Sequence, residues 1–162
     1  MNFNKKDLLV FSFILLAVVL RLVPHWPNVT PVTAMALFGG AFFSNRYAAI
    51  ALPLIVMALS DLFLGFSWIS FFVYASFSIV SLIGWYYKKM TFKTILLSSL
   101  SFFIITNFGV WLMGYPNTWK GLMECYTLAL PFFRNSLIGD FAFSGLMLYG
   151  YSFAHKHLLQ KV

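Results

Sequence analysis

The chain holds only four acidic side chains, Asp7, Asp61, Glu124 and Asp140, in 162 residues of which 61% are hydrophobic. Asp61 sits in Ala58-Leu59-Ser60-Asp61-Leu62-Phe63-Leu64-Gly65, Asp140 in an equally apolar stretch, and Glu124 directly before Cys125 and Tyr126. The helix order derived below gathers them at one end of the molecule. Arg21, His25, Asn28 and Asn107 join them there, with the aromatic residues Trp26, Trp68, Trp111, Trp119 and Tyr126. A few convergent polar groups among aromatic rings is the composition of a small-molecule pocket, in which rings stack on the solute and polar groups orient it. The candidate ligand-binding set is therefore Arg21, His25, Trp26, Asn28, Asp61, Trp68, Asn107, Trp111, Trp119, Glu124, Cys125, Tyr126 and Asp140.

Each of these residues also has a structural reading. Arg21 with an aspartate can be an ion pair tying helices together. Trp and Tyr collect at membrane interfaces, and Asn107 can bridge two helices by a hydrogen bond. Cys125, the single cysteine, is a small apolar residue in one reading and a thiolate ligand to a soft metal in the other. His25 lacks companion ligands, and one histidine is a weak metal signal. Asn28-Val29-Thr30 matches a glycosylation sequon by chance, being short, near the membrane and followed by Pro31.

The chemistry that is absent narrows the field. There is no phosphate-binding GxxxxGK[ST] loop, no H-x-x-x-H pair and no GxSxG elbow. His155 and His157, two residues apart, face different sides of a helix. No catalytic residue, metal ligand or cofactor is assigned, and an enzyme is not expected.

The elements that must position these residues follow from composition. Only 9% of the residues are charged and 20% are aromatic, so the chain lacks the polar groups to cover a soluble globule. The same figures exclude disorder, and one cysteine excludes a disulfide scaffold. Membrane lipid is the expected surroundings. A helix needs about 20 mostly apolar residues to cross the hydrocarbon core. Segments near 7–23, 32–43, 47–64, 68–87, 94–113 and 136–155 meet or approach that length, the second being short. They fill residues 1–162 as a single integral membrane domain. An all-α bundle of six transmembrane helices is expected.

Orientation comes from the bases. With the N-terminus inside, Lys5, Lys6, Arg46, Lys88, Lys89, Lys93, Lys156 and Lys161 are cytoplasmic, and only Arg21, Lys120 and Arg134 lie outside. The formal charge of +7 then belongs to the inner side, and the outer bases balance Asp61, Glu124 and Asp140. Nucleic acid is not an expected partner. Lys5 and Lys6 before an apolar run suggest a secretory leader, but no small-x-small site follows, so an uncleaved first span is expected.

Two outer connections complete the candidate site. Pro24 to Pro31 is too proline-rich for a helix and suits a stiff pocket wall. The stretch 114–135 reads as an amphipathic interfacial helix capped by Asn117 or Thr118 and ended by Pro131. Gly39, Gly40 and Ala41, and again Ala48, Ala49 and Ala51, form small-residue faces that admit a neighbouring backbone.

Several strings resemble an uncharacterised family of small bacterial integral membrane proteins that carry only a transport label. They are Arg21 to Val32, Ala36 to Ala41, Ser60 to Gly65, Thr106 to Trp111, Glu124 to Tyr126, Pro131 to Phe133 and Asn135 to Asp140. More loosely, the layout resembles the substrate-binding S-components of energy-coupling factor vitamin transporters. That resemblance implies an outer ligand pocket closed by loops, both termini cytoplasmic, residence in the bacterial inner membrane, and an energising membrane subunit with ATPases as partners. It also implies a vitamin-like or cofactor-like solute, with cobalamin and thiamin-like molecules as candidates. Span one departs from the S-component Ala-x-x-x-Ala docking pattern, carrying Phe13 and Arg21 on either side of Ala17. Capture of a small solute from outside is the expected function. The alternatives are an accessory subunit of a membrane complex and a membrane enzyme acting through Cys125 or His25.

Overall fold

A computed structural model describes residues 4–22 and 28–158. The described chain forms six helices: α1 (Lys5–Leu22), α2 (Val32–Phe42), α3 (Arg46–Leu64), α4 (Ile69–Tyr87), α5 (Phe92–Gly114) and α6 (Trp119–Leu158). The expectations for His25 and Trp26 lie outside the described residues.

Large apolar side chains lie on the outside of the bundle as well as inside it. Leu8, Leu15, Leu16 and Val19 of α1, Leu62 and Phe63 of α3, Phe71 of α4 and Ile104 of α5 are all exposed. The interior combines apolar residues such as Phe38, Phe43 and Phe77 with small and hydroxyl-bearing ones, among them Ala34, Ala36, Ala49, Ser76, Ser81, Ser98, Ser99 and Ser144. Large apolar side chains on the outside suit lipid, where helices associate through small residues and side-chain hydrogen bonds and not through burial of oily faces. Three helices, Arg46–Phe63 within α3, α4 and α5, are long and apolar enough to cross a membrane.

The centre of the bundle is α2. At 11 residues it is only about 16 Å long, half a membrane span. Every residue from Val32 to Ala41 is buried, and α2 packs against all five other helices. A helix apolar on all sides is a core helix, and the small residues decide how closely its neighbours approach. A Cβ on Gly40 would collide with the Ser81 carbonyl of α4, and one on Gly84 with the Leu37 carbonyl of α2. Ser81 Oγ donates to the Ala36 carbonyl at 3.2 Å across the same seam. The small-residue face of α2 therefore admits α4, and Gly84, not singled out from the sequence, is its counterpart. Ala48 and Ala49 are buried as expected, whereas Ala51 is exposed.

Local signals set the helix ends. Asn45 Oδ1 accepts from the Tyr47 and Ala48 amides at 2.8 and 3.4 Å, capping α3. Gly65 at φ 92° ends it in a backbone region open to glycine. Thr91 and Thr94 form a reciprocal capping box at the start of α5. Thr118 Oγ1 accepts from the Gly121 amide at 3.2 Å at the start of α6.

The last helix corrects one expectation. The amphipathic segment and the last span are one continuous helix of 40 residues, with Pro131 inside it. Proline removes a single backbone hydrogen bond, and helix-forming residues run on both sides of it. Packing against neighbouring helices makes such a proline tolerable in a bundle of this kind.

If the α2–α4 seam is backbone on backbone, Gly40→Val and Gly84→Val will each lower the melting temperature of the detergent-purified protein. Overpacking of this kind costs about 1–3 kcal/mol or more. Gly145, with nothing within 4 Å of its would-be Cβ, will accept the same change with little effect. Equal melting temperatures for the three variants would contradict the seam.

Candidate functional site

Arg21 ends α1 and reaches α3. Its Nη2 lies 2.6 Å from Asp61 Oδ1, and its Nη1 donates to Ser60 Oγ. Tyr74 of α4 donates its hydroxyl to Asp61 Oδ2, and Ser60 Oγ donates in turn to the Met57 carbonyl at 2.8 Å. Asp61 is 3% exposed. Both carboxylate oxygens are engaged, so this cluster is a fastener joining α1, α3 and α4. The sequence pointed to Arg21 and Asp61 but not to Ser60 or Tyr74, since no local pattern links α4 to this ion pair.

Asp140 belongs to a separate cluster. It was expected near the start of the last span, but α6 begins at Trp119, which places Asp140 in mid-helix. Ser99 Oγ of α5 donates to its Oδ2 at 2.6 Å, and the Thr33 hydroxyl is its other hydrogen-bond partner. Thr33 lies in the first turn of α2, whose N-cap Pro31 supplies no side-chain cap. A carboxylate beside an uncapped helix N-terminus is favoured by the helix dipole. Asp7 serves the opposite end of α2, accepting from the Ser44 amide at 2.9 Å, and Glu124 is the one exposed acid.

A cavity of about 470 Å³ opens between α5 and the first half of α6, touched by Val73 of α4 and by Asn28. Asn28, Asn107 and Cys125 of the sequence-derived set line it. Asn107 Nδ2 donates to the Phe103 carbonyl at 2.8 Å, and the Cys125 thiol approaches the Asn107 backbone carbonyl at 3.5 Å. Burial pushes the Cys125 thiol above its ordinary pKa, which disfavours a thiolate at neutral pH. Among the described residues no group of three His, Cys, Asp or Glu side chains is placed to hold a metal.

The aromatic candidates among the described residues do not line this cavity. Tyr126 donates its hydroxyl to the Ile104 carbonyl at 2.6 Å and clamps α6 to α5. Trp111 Nε1 donates to the Pro116 carbonyl at 3.2 Å, closing the turn between the two helices. Trp68 and Trp119 are 84% and 75% exposed, as interfacial aromatics are. The rings that do line the cavity are Phe102, Phe103, Phe132, Phe133 and Tyr115, with Ser99, Thr106 and Ser136 among the polar groups. Ser99, Phe102, Phe103 and Thr106 recur at helical spacing on α5, as do Cys125, Ala129, Phe132 and Ser136 on α6, but α5 is apolar on all sides, so spacing alone does not single out this face.

Comparison with known families gives one match, covering residues 1–161. The chain belongs to the family of unknown function DUF6580. Membership agrees with the resemblance to an uncharacterised family and adds no activity to it. No curated protein matches the DUF6580 chain, and no solved structure matches it.

The Arg21–Asp61 fastener makes a stability prediction. Arg21→Met strands a buried carboxylate and will cost about 3–5 kcal/mol. Adding Asp61→Leu will restore most of the loss, because a buried pair replaced by apolar groups is often neutral. Thermal unfolding of the two variants reads this directly, and a double variant no better than the single one would contradict the pairing.

Proposed function

We propose that this protein is a six-span membrane protein that binds a small solute in the cavity between α5 and α6 and takes part in its uptake. The observation that carries this reading is the cavity itself. At about 470 Å³ it falls in the size range of ligand sites, and it has their composition, aromatic walls with a few polar groups. The helix that walls it, α6, begins with the amphipathic segment 119–130, whose Trp119, Leu122 and Met123 suit the membrane interface. By the distribution of Lys and Arg, the cavity faces the outer side and both termini face the cytoplasm of a bacterial inner membrane.

The volume favours a compact vitamin-like or cofactor-like solute, of thiamin size, over a corrinoid. The likeness to S-components of energy-coupling factor transporters rests on this layout, and docking to an energising subunit with ATPases is part of the same proposal. The accessory-subunit alternative draws on small-residue faces free to dock a partner. Gly40 is covered by Ser81 of α4, and a Cβ on Gly39 would meet Pro53 and Ile14, so these faces favour the solute-binding reading. The enzyme alternative through Cys125 finds no support in a buried thiol whose proton is held at a backbone carbonyl.

The test is native mass spectrometry of protein released from its own membranes. Wild-type protein will carry a small molecule of defined mass. Ala129→Trp, which fills the cavity from its wall, will fold and lack that molecule. A wild-type protein that is always empty, or a filled variant that retains the molecule, would contradict the reading.

A further inference from the structure

The polar groups at the buried end of the cavity share a property that the cavity's shape does not require. Ser99, Thr106 and Cys125 are all buried, and each has its one polar hydrogen engaged within the protein. Ser99 Oγ donates to Asp140 at 2.6 Å, with the Ile95 carbonyl at 3.0 Å as its other acceptor. Thr106 Oγ1 donates to the Phe102 carbonyl at 2.7 Å. The Cys125 thiol is directed to the Asn107 carbonyl, and Asn107 gives one amide hydrogen to the Phe103 carbonyl, which leaves its side-chain oxygen to accept and its second amide hydrogen to donate. A hydroxyl whose proton is engaged offers only lone pairs to a ligand. The buried end of the cavity is thus rich in acceptors and poor in donors.

Charge points the same way. Among the described residues no lysine, arginine or acidic residue lines the cavity. The carboxyl group of Asp140 stands directly behind Ser99 and polarises that hydroxyl toward itself. Arg21, half-buried, is held by Asp61 and Ser60 in the other cluster. Four phenylalanine rings, Phe102, Phe103, Phe132 and Phe133, make the walls apolar, with Phe102 stacked on Phe77 and Phe103 packed against Phe133.

We propose that the cavity selects a solute bearing N–H or ammonium donors on an apolar or aromatic body, and rejects carboxylates and phosphates. This inference rests on the solute-binding reading and names its substrate class. Asn28, Tyr115 and Ser136, less buried, can donate or accept and do not set the preference.

The test compares 2-phenylethylammonium with 3-phenylpropionate, probes of similar shape and opposite charge, by the shift each gives in melting temperature with concentration. The ammonium will bind at least about tenfold tighter, as expected for a site that matches donors and leaves acceptors unpaired with the wrong ligand. In Asp140→Asn the new amide donates to Ser99 Oγ, whose proton turns to the Ile95 carbonyl, so one lone pair is lost to the cavity and the preference will fall to within about threefold. Ser99→Ala, which removes the acceptor, is the second variant should Asp140→Asn not fold. Ala129→Trp will abolish binding of both probes.

Equal or tighter binding of the propionate, no binding of either probe, or a preference unchanged in both Asp140→Asn and Ser99→Ala would overturn the inference. A native solute identified as a carboxylate or phosphate overturns this inference and leaves the solute-binding reading standing. A cavity empty in native membranes removes that reading itself.

Discussion

A helix too short to cross a membrane, buried on every side, is the constraint on which the rest of this structure depends. Because α2 covers about half of a ~30 Å core, one of its ends must stop inside the bundle. A helix end carries unsatisfied amides and a partial positive charge, which would be costly in an apolar interior. Asp140, with hydroxyls from Ser99 and Thr33, answers that cost from across the bundle. At the other end Asp7 takes the amide of Ser44. Two of the four acids in the chain are therefore tied to the two ends of one helix, and a third, Asp61, joins the helices packed around it.

The same constraint reaches the cavity through one residue. Ser99, which donates to Asp140, also lines the space between the longer helices α5 and α6. Once Asp140 draws the Ser99 hydroxyl toward α2, the lower end of that space is left with acceptors. On the solute-binding proposal, structural stabilisation and ligand selection meet in this one carboxyl group. Arg21 and Asp61 stand apart from it and serve to hold α1, α3 and α4 together. Cys125 is packed against α5, and Tyr126 pins the amphipathic half of α6 to the same helix.

The helices were legible in the sequence because long apolar runs and capping residues act locally. Thr118 marks the start of α6 where the sequence places a cap, whereas the caps at Asn45 and Thr91–Thr94 emerge only in the structure, and Gly40 marks a close crossing. Pro131 misled, because the penalty of one lost backbone bond is local whereas the packing that offsets it is not. Asp140 was misplaced along its helix for the same reason, since the start of α6 moved with Pro131. In the candidate site, Asn28, Asn107 and Cys125 were found as polar residues in apolar surroundings. Ser99 and Thr106 were not, because serine and threonine on a membrane helix satisfy themselves on their own backbone and give no charge signal. Which phenylalanines face inward is decided by how α5 turns against α6, and a helix apolar on all sides hides that rotation.

The central claim is that a cavity open to the outer side reaches Cys125, the single thiol of the chain. The most direct measurement is labelling of that thiol in intact spheroplasts with a small membrane-impermeant methanethiosulfonate. The account predicts slow but complete modification in the wild type, because the thiol is buried and its pKa raised, and none in Ala129→Trp. No labelling of the wild type until the protein is denatured, or equal labelling of both proteins, would contradict it.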